Sequence, residues 1–187
     1  MNYSVETIRE IVKRDPNREI IYFWGHTTTP GKIEKPCFSQ WYDCYFIVDG
    51  VSYHTTEQYM MACKARLFGD EDTLAKIMQA NNPADHKKLG RKVSGFDPVV
   101  WDAHKYNIVV EGNKAKFSQN AELKEFLLST GNAIIVEASP YDRIWGIGLN
   151  PTTAKSGGIE QWRGENLLGC ALMQVRDYLR ETENTNN

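Results

Sequence analysis

The 187-residue chain is long enough for one domain with a hydrophobic core, because 41% of its residues are hydrophobic and 25% are charged. Its 22 basic and 24 acidic residues give a formal net charge of −2, which excludes non-specific nucleic-acid binding as a bulk property of the surface. The four cysteines are scattered without a C-x-x-C spacing, a pattern that argues against a zinc site or a disulfide framework and favours a reducing, intracellular compartment.

The first part of the chain carries signals for a helix, a strand and a hairpin. Ser4 can cap a helix that ends before Pro16, and residues 20–24 (IIYFW) read as a short buried strand. Residues 25–36 form a polar loop punctuated by proline and glycine, which is either a lid or an insertion. The pair Asp49-Gly50 lies between two short apolar runs and predicts a β-hairpin.

The stretch YHTTEQYMMACKARLF reads as the end of a strand, a turn and a helix capped by Thr55 or Thr56. Seven residues separate Glu57 from Lys64. Both therefore lie near one stripe of the helix, about 10 Å apart along its axis. A carboxylate and an amine on one stripe of an otherwise apolar helix suggest a site with the substrate between them. The spacing alone also fits a capping glutamate and a snorkelling lysine, and it favours that simpler interpretation.

The remaining pattern predicts more helices than strands. The expected elements are helices beginning near Asp70 or Asp72, at Pro83, at Pro98, at Ala121 and after Asn166, a strand at 133–136, and an irregular segment at 137–164. Asn120 and Asn166 are expected to cap the last two helices. We therefore predict a mainly α (α+β) fold, with a compact single domain over residues 1–187, a core at about 20–180 and a polar tail at 181–187.

Three ionisable side chains stand out as candidates for chemistry: Glu57, Lys64 and Asp142. Asp142 lies in a glycine-rich segment where free backbone amides can bind phosphate, although an aspartate there also forms turns with its own backbone. The candidate walls for a flat ligand are Trp24, Trp101 and Trp145. A tryptophan on a helix, such as Trp101, also fits an ordinary core position.

Metal and nucleotide-loop signals are weak. His54 and Glu57 have the spacing of a ligand pair, but no third ligand stands at a persuasive spacing, so we expect neither a metal nor another cofactor. The glycine-bearing segments 146–148 and 156–158 match neither the Walker pattern nor GxGxxG.

Taken in chain order, a set of short motifs resembles the NADAR family, also called YbiA-like. The motifs are FSQW at 38–41, TEQY at 56–59, KA at 64–65, GR at 90–91, GFDP at 95–98, Trp101, LLSTG at 127–131, IVEASP at 135–140, Asp142, IWGIG at 144–148, NLLG at 166–169 and LM at 172–173. Each motif is short, but together they cover the chain from about Ile21 to Leu179.

The resemblance implies a compact, mainly helical domain with N-glycosidase activity. Members of the family cleave phosphoribosylated aminopyrimidines of the early riboflavin pathway, and others remove ADP-ribose from guanine bases. Glu57, Lys64, Trp101 and Asp142 fall on positions that the family uses in its active site. In both substrate types a ribose carbon is bonded to an exocyclic amine, so a neutral Lys64 can form a Schiff base with the opened sugar while Glu57 moves protons.

The other site residues expected from the sequence concern substrate binding. Trp101 is expected against the base or the ribose and Asp142 on ribose hydroxyls, whereas hydroxyls and cations bind phosphates. The further candidates are Phe23, Trp24, Ser39, Arg91, Ser139, Trp145 and Gly146, with Ser156 and Arg143 as additional phosphate ligands.

The expected partner is an ADP-ribose-containing or phosphoribosyl substrate, either free or within ADP-ribosylated DNA or RNA. No membrane contact is expected, because the chain shows neither a signal pattern nor a long apolar run, and we expect a cytoplasmic protein. No obligate protein partner is inferred. The competing hypothesis is a noncatalytic module that binds ADP-ribose or a related nucleotide. Such a module needs the same pocket but does not need Glu57 and Lys64 together.

Overall fold

The computed structural model describes residues 3–185, and within them it contains eight α-helices and four short strands, as the predicted mainly α (α+β) class requires. The elements are α1 Val5–Arg14, β1 Ile20–Phe23, β2 Phe46–Val48, β3 Val51–Tyr53, α2 Thr56–Leu67, α3 Glu71–Gln79, α4 Pro83–Gly90, α5 Pro98–Gln119, α6 Ala121–Ser129, β4 Ile134–Glu137, α7 Pro151–Gly157 and α8 Leu167–Thr185. Short 3₁₀ turns occur at Lys35–Phe38 and Ile159–Gln161.

Internal contacts divide the described residues into two units. One comprises residues 3–39 and 121–185 and is called the terminal unit below. The other, Gln40–Asn120, is called the middle unit. The expectation of a single domain over the whole chain remains a prediction.

The terminal unit is built around a parallel pair of strands. β1 and β4 run side by side with Ile20 opposite Ile134, and α8 packs on β4. Ile135 and Val136 are fully buried, as is typical of apolar strands covered on both faces. Parallel strands place their carboxyl ends at one edge, so the chain segments that follow β1 and β4 leave from the same edge.

Asn166 plays a different role from the predicted cap of the last helix. It precedes α8 with a left-handed φ of 52°, but its amide Nδ2 donates to Ile135 O at 3.0 Å and its Oδ1 accepts from Glu137 N at 3.0 Å. Both ends of the amide are thus used to fix the start of α8 against β4. The capping interpretation of Asn166 was wrong because a partner distant in sequence competes for the same side chain.

Two segments expected to be irregular or frayed are helical. Residues 151–157 form α7, since the Asn150 side chain accepts from Thr153 N and Pro151 occupies the first turn. At the other end of the unit, α8 continues past Arg180 to Thr185, into the stretch expected to be a polar tail. The last two residues of that predicted tail, 186–187, lie outside the described residues.

The middle unit combines the predicted hairpin with four helices. β2 and β3 pair antiparallel around Asp49 and Gly50, whose φ values of 50° and 75° match a two-residue turn with both central residues left-handed. α2 packs against α3, α4, α5 and β3, so it lies at the centre of the unit. Thr55 caps α2 by accepting from Gln58 N at 3.0 Å.

The four cysteines, Cys37, Cys44, Cys63 and Cys170, are free. Across residues 3–185, none of the helices combines the length and the apolar character that crossing a membrane requires.

Candidate active site

Glu57 is buried in the first turn of α2, where its position is fixed by Gln40. The backbone carbonyl of Gln40 accepts from Glu57 N at 2.9 Å and from the hydroxyl of Thr56 at 3.2 Å. The Gln40 side chain is held in turn, because Asn113 Nδ2 of α5 donates to its Oε1 at 3.0 Å. Only 4% of Glu57 is exposed. A carboxylate at this helix end is also favoured by the helix dipole.

Lys64 is half-buried near the end of the same helix, where a carbonyl and two aromatic rings surround its amine. Its Nζ donates to the backbone carbonyl of Gly90 at 2.9 Å. The same atom lies 4.0 Å from the ring centroid of Phe96 and 5.4 Å from that of Trp101. The middle unit therefore brings Lys64 and Trp101 together, as their assignment to one site requires.

The connector between α4 and α5 delivers these groups to Lys64. Gly95 adopts a left-handed φ of 65°, which turns the chain so that Phe96 packs edge-on against Phe68 with centroids 5.4 Å apart. Asp70 anchors the same connector by accepting from Ser94 N at 2.8 Å. Gly90 itself leaves no space for a side chain, because an added Cβ would overlap Met61.

The electrostatic environment of Lys64 contains opposing influences. Burial lowers the pKa of Lys64 below its ordinary value, since desolvation disfavours the charged ammonium. The Gly90 carbonyl at the C-terminal end of α4 and the faces of the two rings favour the charged form. Burial and these contacts therefore act on the Lys64 amine in opposite directions.

Arg91 follows Gly90 directly and caps the end of α4, where its side chain is exposed. It directly follows Gly90, whose carbonyl accepts from Lys64 Nζ. The assignment of Arg91 to phosphate binding stays a prediction.

In the terminal unit, Asp142 organises the loop that follows β4. Its Oδ1 accepts from Ile144 N at 2.9 Å and from Trp145 N at 2.8 Å, so the turn-forming role considered for this residue is real. These contacts use one carboxylate oxygen. A second role on ribose hydroxyls needs the other oxygen and remains a prediction. Gly146 allows the loop to close, because an added Cβ would lie 2.8 Å from Glu137 O.

The remaining predicted residues of the terminal unit lie after or within the two parallel strands. Phe23 is buried at the end of β1, where its ring packs edge-on against Phe38 with centroids 5.5 Å apart. In the structure it is a core residue. Trp24, the next residue, is 51% exposed and lies 6.3 Å from the ring of Tyr141. Ser139 is buried with its Oγ accepting from Tyr141 N at 3.4 Å. Ser39 is partly buried after the first 3₁₀ turn, and Trp145 is half-buried.

Three contributors to these surroundings were missed at the level of sequence: Gln40, Phe96 and Tyr141. Gln40 and Phe96 both lie within the motifs FSQW and GFDP, so a signal existed, but nothing in the pattern assigned them a role. Tyr141 is 87% exposed and adjoins Asp142, and only its proximity to Trp24 in space distinguishes it.

The metal interpretation of His54 and Glu57 gains no third ligand from the structure. In residues 3–185, no three His, Cys, Asp or Glu side chains are grouped closely enough to hold a metal ion. The His54 backbone amide instead donates to Gln58 Oε1 at 2.9 Å, as part of the start of α2.

Comparisons with known proteins agree with the resemblance seen in the motifs. The profile of the NADAR domain matches residues 22–180. An N-glycosidase of Acanthamoeba polyphaga mimivirus is 46% identical over 161 residues, covering 83% of this chain and 95% of that protein. N-glycosidase YbiA of Escherichia coli is 33% identical over 132 residues, covering 71% and 74% of the two chains. The NMR structure of E. coli YbiA superposes with a TM-score of 0.72 at 29% identity, over 89% of this chain and 88% of that one. The chain belongs to the NADAR domain family.

Proposed function

We propose that the protein is an N-glycosidase that hydrolyses the bond between a ribose carbon and an exocyclic amine. The observation that carries the proposal is the pairing, on one helix, of the buried carboxylate of Glu57 with the half-buried amine of Lys64 beside aromatic faces. The N-glycosidase names of the mimivirus and bacterial relatives support the same reaction class.

The proposed chemistry begins with opening of the ribose ring. Glu57, as general acid, protonates the ring oxygen, and the exocyclic nitrogen forms an imine with the sugar carbon. The neutral amine of Lys64 then adds to that carbon and the base departs as a free amine, which leaves the sugar as an imine on Lys64. Water hydrolyses this imine, releasing the sugar aldehyde and restoring the lysine. Each step exchanges C–O and C–N bonds and moves protons while the sugar carbon stays at the aldehyde oxidation level, so the sequence of steps needs no oxidant or reductant.

The half-buried setting of Lys64 supports its role as nucleophile. Desolvation lowers its pKa, which increases the share of free amine at neutral pH. In the resting position the amine donates to Gly90 O, so it must exchange this bond for the substrate carbon during the reaction. The flexible side chain of lysine permits that movement.

The proposed substrate-binding residues keep the roles that the family resemblance implies. Trp101 is proposed to offer a ring face to the base or the ribose, and the second carboxylate oxygen of Asp142 is proposed to accept from ribose hydroxyls. Arg91 and Ser139 are proposed phosphate ligands. The substrate is either ADP-ribosylated guanine, free or within a nucleic-acid strand, or a phosphoribosylated aminopyrimidine. We place the reaction in the cytoplasm, where free cysteines persist.

One assay with two substrates tests the proposal. Purified protein is incubated with an oligonucleotide carrying ADP-ribosylated guanine and, separately, with the phosphoribosylated aminopyrimidine, and the released amine is quantified by mass spectrometry. Release from at least one substrate, lost in Lys64→Arg, is the expected result. Binding of ADP-ribose without release from either substrate would instead identify a noncatalytic nucleotide-binding module.

A further inference from the structure

The proposed chemistry assigns no role to Phe96, although the ring of this residue lies beside the Lys64 amine. Phe96 lies closer to Nζ than Trp101 does, with centroid distances of 4.0 Å and 5.4 Å. Phe96 is 44% exposed, although large aromatic side chains usually lie in the core. An exposed phenyl ring over an amine needs a reason beyond packing.

We propose that Phe96 is a positioning residue. Together with the Gly90 carbonyl, its ring keeps the Lys64 side chain in the ammonium form until a bound N-ribosyl substrate displaces the amine from these contacts. This proposal rests on the nucleophilic role proposed for Lys64 above. An ammonium cannot attack a carbonyl or an imine carbon. The arrangement therefore protects Lys64 from reactive sugar aldehydes when no substrate is bound.

The geometry favours the charged form of Lys64 in three ways. Gly90 is the last residue of α4, whose terminal carbonyls carry partial negative charge, and its oxygen accepts from Nζ at 2.9 Å. The Phe96 ring presents its face at a distance suited to a cation–π contact, and Trp101 adds a second, more distant ring. The edge-on contact between Phe96 and Phe68 holds the first ring in place at the end of α2.

Several titratable side chains on the elements packed against α2 bond to partners other than Lys64. The elements packed against α2 carry titratable groups that make hydrogen bonds of their own, namely Asp70 at the start of α3, Asp85 and His86 in α4, Asp97 and Asp102 at the start of α5, and Tyr53 in β3. Among the described residues, none of these groups contributes to the pKa of Lys64, for which burial is the resolved influence. Glu57 lies two turns away on α2 itself.

The substitution Phe96→Leu separates a ring that favours the ammonium from a side chain that only excludes water. Leucine keeps most of the apolar cover but removes the ring face. If the ring favours the ammonium, the pKa of Lys64 falls in the variant by about half a pH unit, the equivalent of one exposed cation–π contact. If Phe96 only excludes water, leucine preserves most of that cover, and the pKa of Lys64 stays unchanged or rises slightly. Whether the pKa falls therefore decides between the two roles.

The pKa is measured without substrate, by reductive methylation of the protein with formaldehyde and cyanoborohydride over a range of pH. Peptide mass spectrometry follows the rate at Lys64, and the exposed Lys92 serves as an internal reference. At neutral pH we expect methylation of Lys64 to become about two- to fivefold faster in Phe96→Leu, from the same contact strength. Lys92 should keep its wild-type rate.

Two control variants complete the experiment. Phe96→Tyr keeps a ring face and should reproduce the wild-type pKa of Lys64, and Val99→Ala, at a nearby position that is 76% exposed, should also leave it unchanged. An unchanged or raised pKa in Phe96→Leu overturns the proposal, and so does a fall of equal size in Phe96→Tyr. Because methylation needs no N-ribosyl substrate, this outcome is independent of whether the protein proves to be an N-glycosidase.

Discussion

Asp142 has one observed role, in holding its loop, and one proposed role, in binding ribose. Two different substitutions distinguish these roles. Its Oδ1 holds the loop through Ile144 N and Trp145 N, whereas its proposed contact with ribose hydroxyls uses the other oxygen and the negative charge. Asp142→Ala removes both functions. Asp142→Asn keeps an acceptor for the loop amides and removes the charge.

The magnitudes follow from the contacts. Two loop hydrogen bonds at about 0.5–1.5 kcal/mol each amount to about 1–3 kcal/mol of lost stability in Asp142→Ala. For a chain of this size that lowers Tm by about 2–4 °C per kcal/mol. A charge-assisted bond to ribose hydroxyls is worth about 1.5–3 kcal/mol, so both variants should bind ADP-ribose about 10- to 100-fold more weakly.

Differential scanning calorimetry measures the Tm of each variant. Titration calorimetry measures the affinity for ADP-ribose at a temperature where every variant is folded. Glu125→Gln, which neutralises an exposed carboxylate in the middle of α6 in the same unit, is the matched control and should change neither quantity. The expected pattern is a lower Tm in Asp142→Ala alone and weaker binding in both Asp142 variants. Wild-type affinity in Asp142→Asn would show that the residue only forms the turn.

Three further predictions concern the fold and the cofactor requirement. Because no metal-ligand group is found in residues 3–185, activity should survive exhaustive EDTA treatment, and loss with rescue by a divalent ion would contradict this. The hydrogen bonds from Ser94 and Thr73 hold the pKa of Asp70 below its usual range, so its carboxylate stabilises the fold above about pH 4 and loses that effect as the pH falls further. Asp70→Asn should therefore lower Tm at neutral pH, with a difference from wild type that shrinks in acid; a difference independent of pH would refute the charge argument. Gly112→Ala places a Cβ 2.6 Å from the Tyr59 ring, and overpacking of about 1–3 kcal/mol should exceed the gain of about 1 kcal/mol in helix propensity. Its Tm should fall, and a rise would mean that the Tyr59 ring moves freely.

The sequence predicted the elements whose signals are local. The cap and proline at the start of α4, the proline at the start of α5 and the Asp49-Gly50 hairpin each depend on residues within a few positions of one another. The spacing of Glu57 and Lys64 likewise follows from helix geometry alone. Such features can be predicted because the residues that form them lie within one or two turns of the chain, so no distant contact has to be known.

The features that escaped prediction depend on partners distant in the chain. The Asn166 side chain bonds to Ile135 and Glu137 rather than to its own helix, and the Lys64 amine donates to Gly90, 26 residues away. α7 escaped for a different reason, because a helix of seven residues has too few positions to show a 3.6-residue period. Spacing alone shows neither whether an asparagine caps its own helix or bonds to a distant strand, nor which groups surround the Lys64 amine.

The same limit applies to the site. The pattern identified Glu57 and Lys64 as a pair, and it left open whether the lysine merely extends into solvent. In the structure its amine is half-buried between a carbonyl and two rings, a setting that suits a nucleophile better than a solvated surface charge. Phe96 was not assigned a role from the sequence because only the turn at Gly95 brings it over the amine.

The most direct test of the proposed mechanism is to trap the sugar on Lys64 during turnover. Borohydride added to a reacting mixture reduces an imine to a stable secondary amine, and peptide mass spectrometry then locates the adduct. We expect a ribosyl adduct on Lys64 in the wild type and a smaller yield in Glu57→Gln, because ring opening precedes attack. Lys64→Arg keeps the charge but cannot form the imine, so it should bind substrate while losing nearly all turnover. Substantial activity in Lys64→Arg together with no adduct in the wild type would contradict the imine mechanism and leave Glu57 to activate water directly.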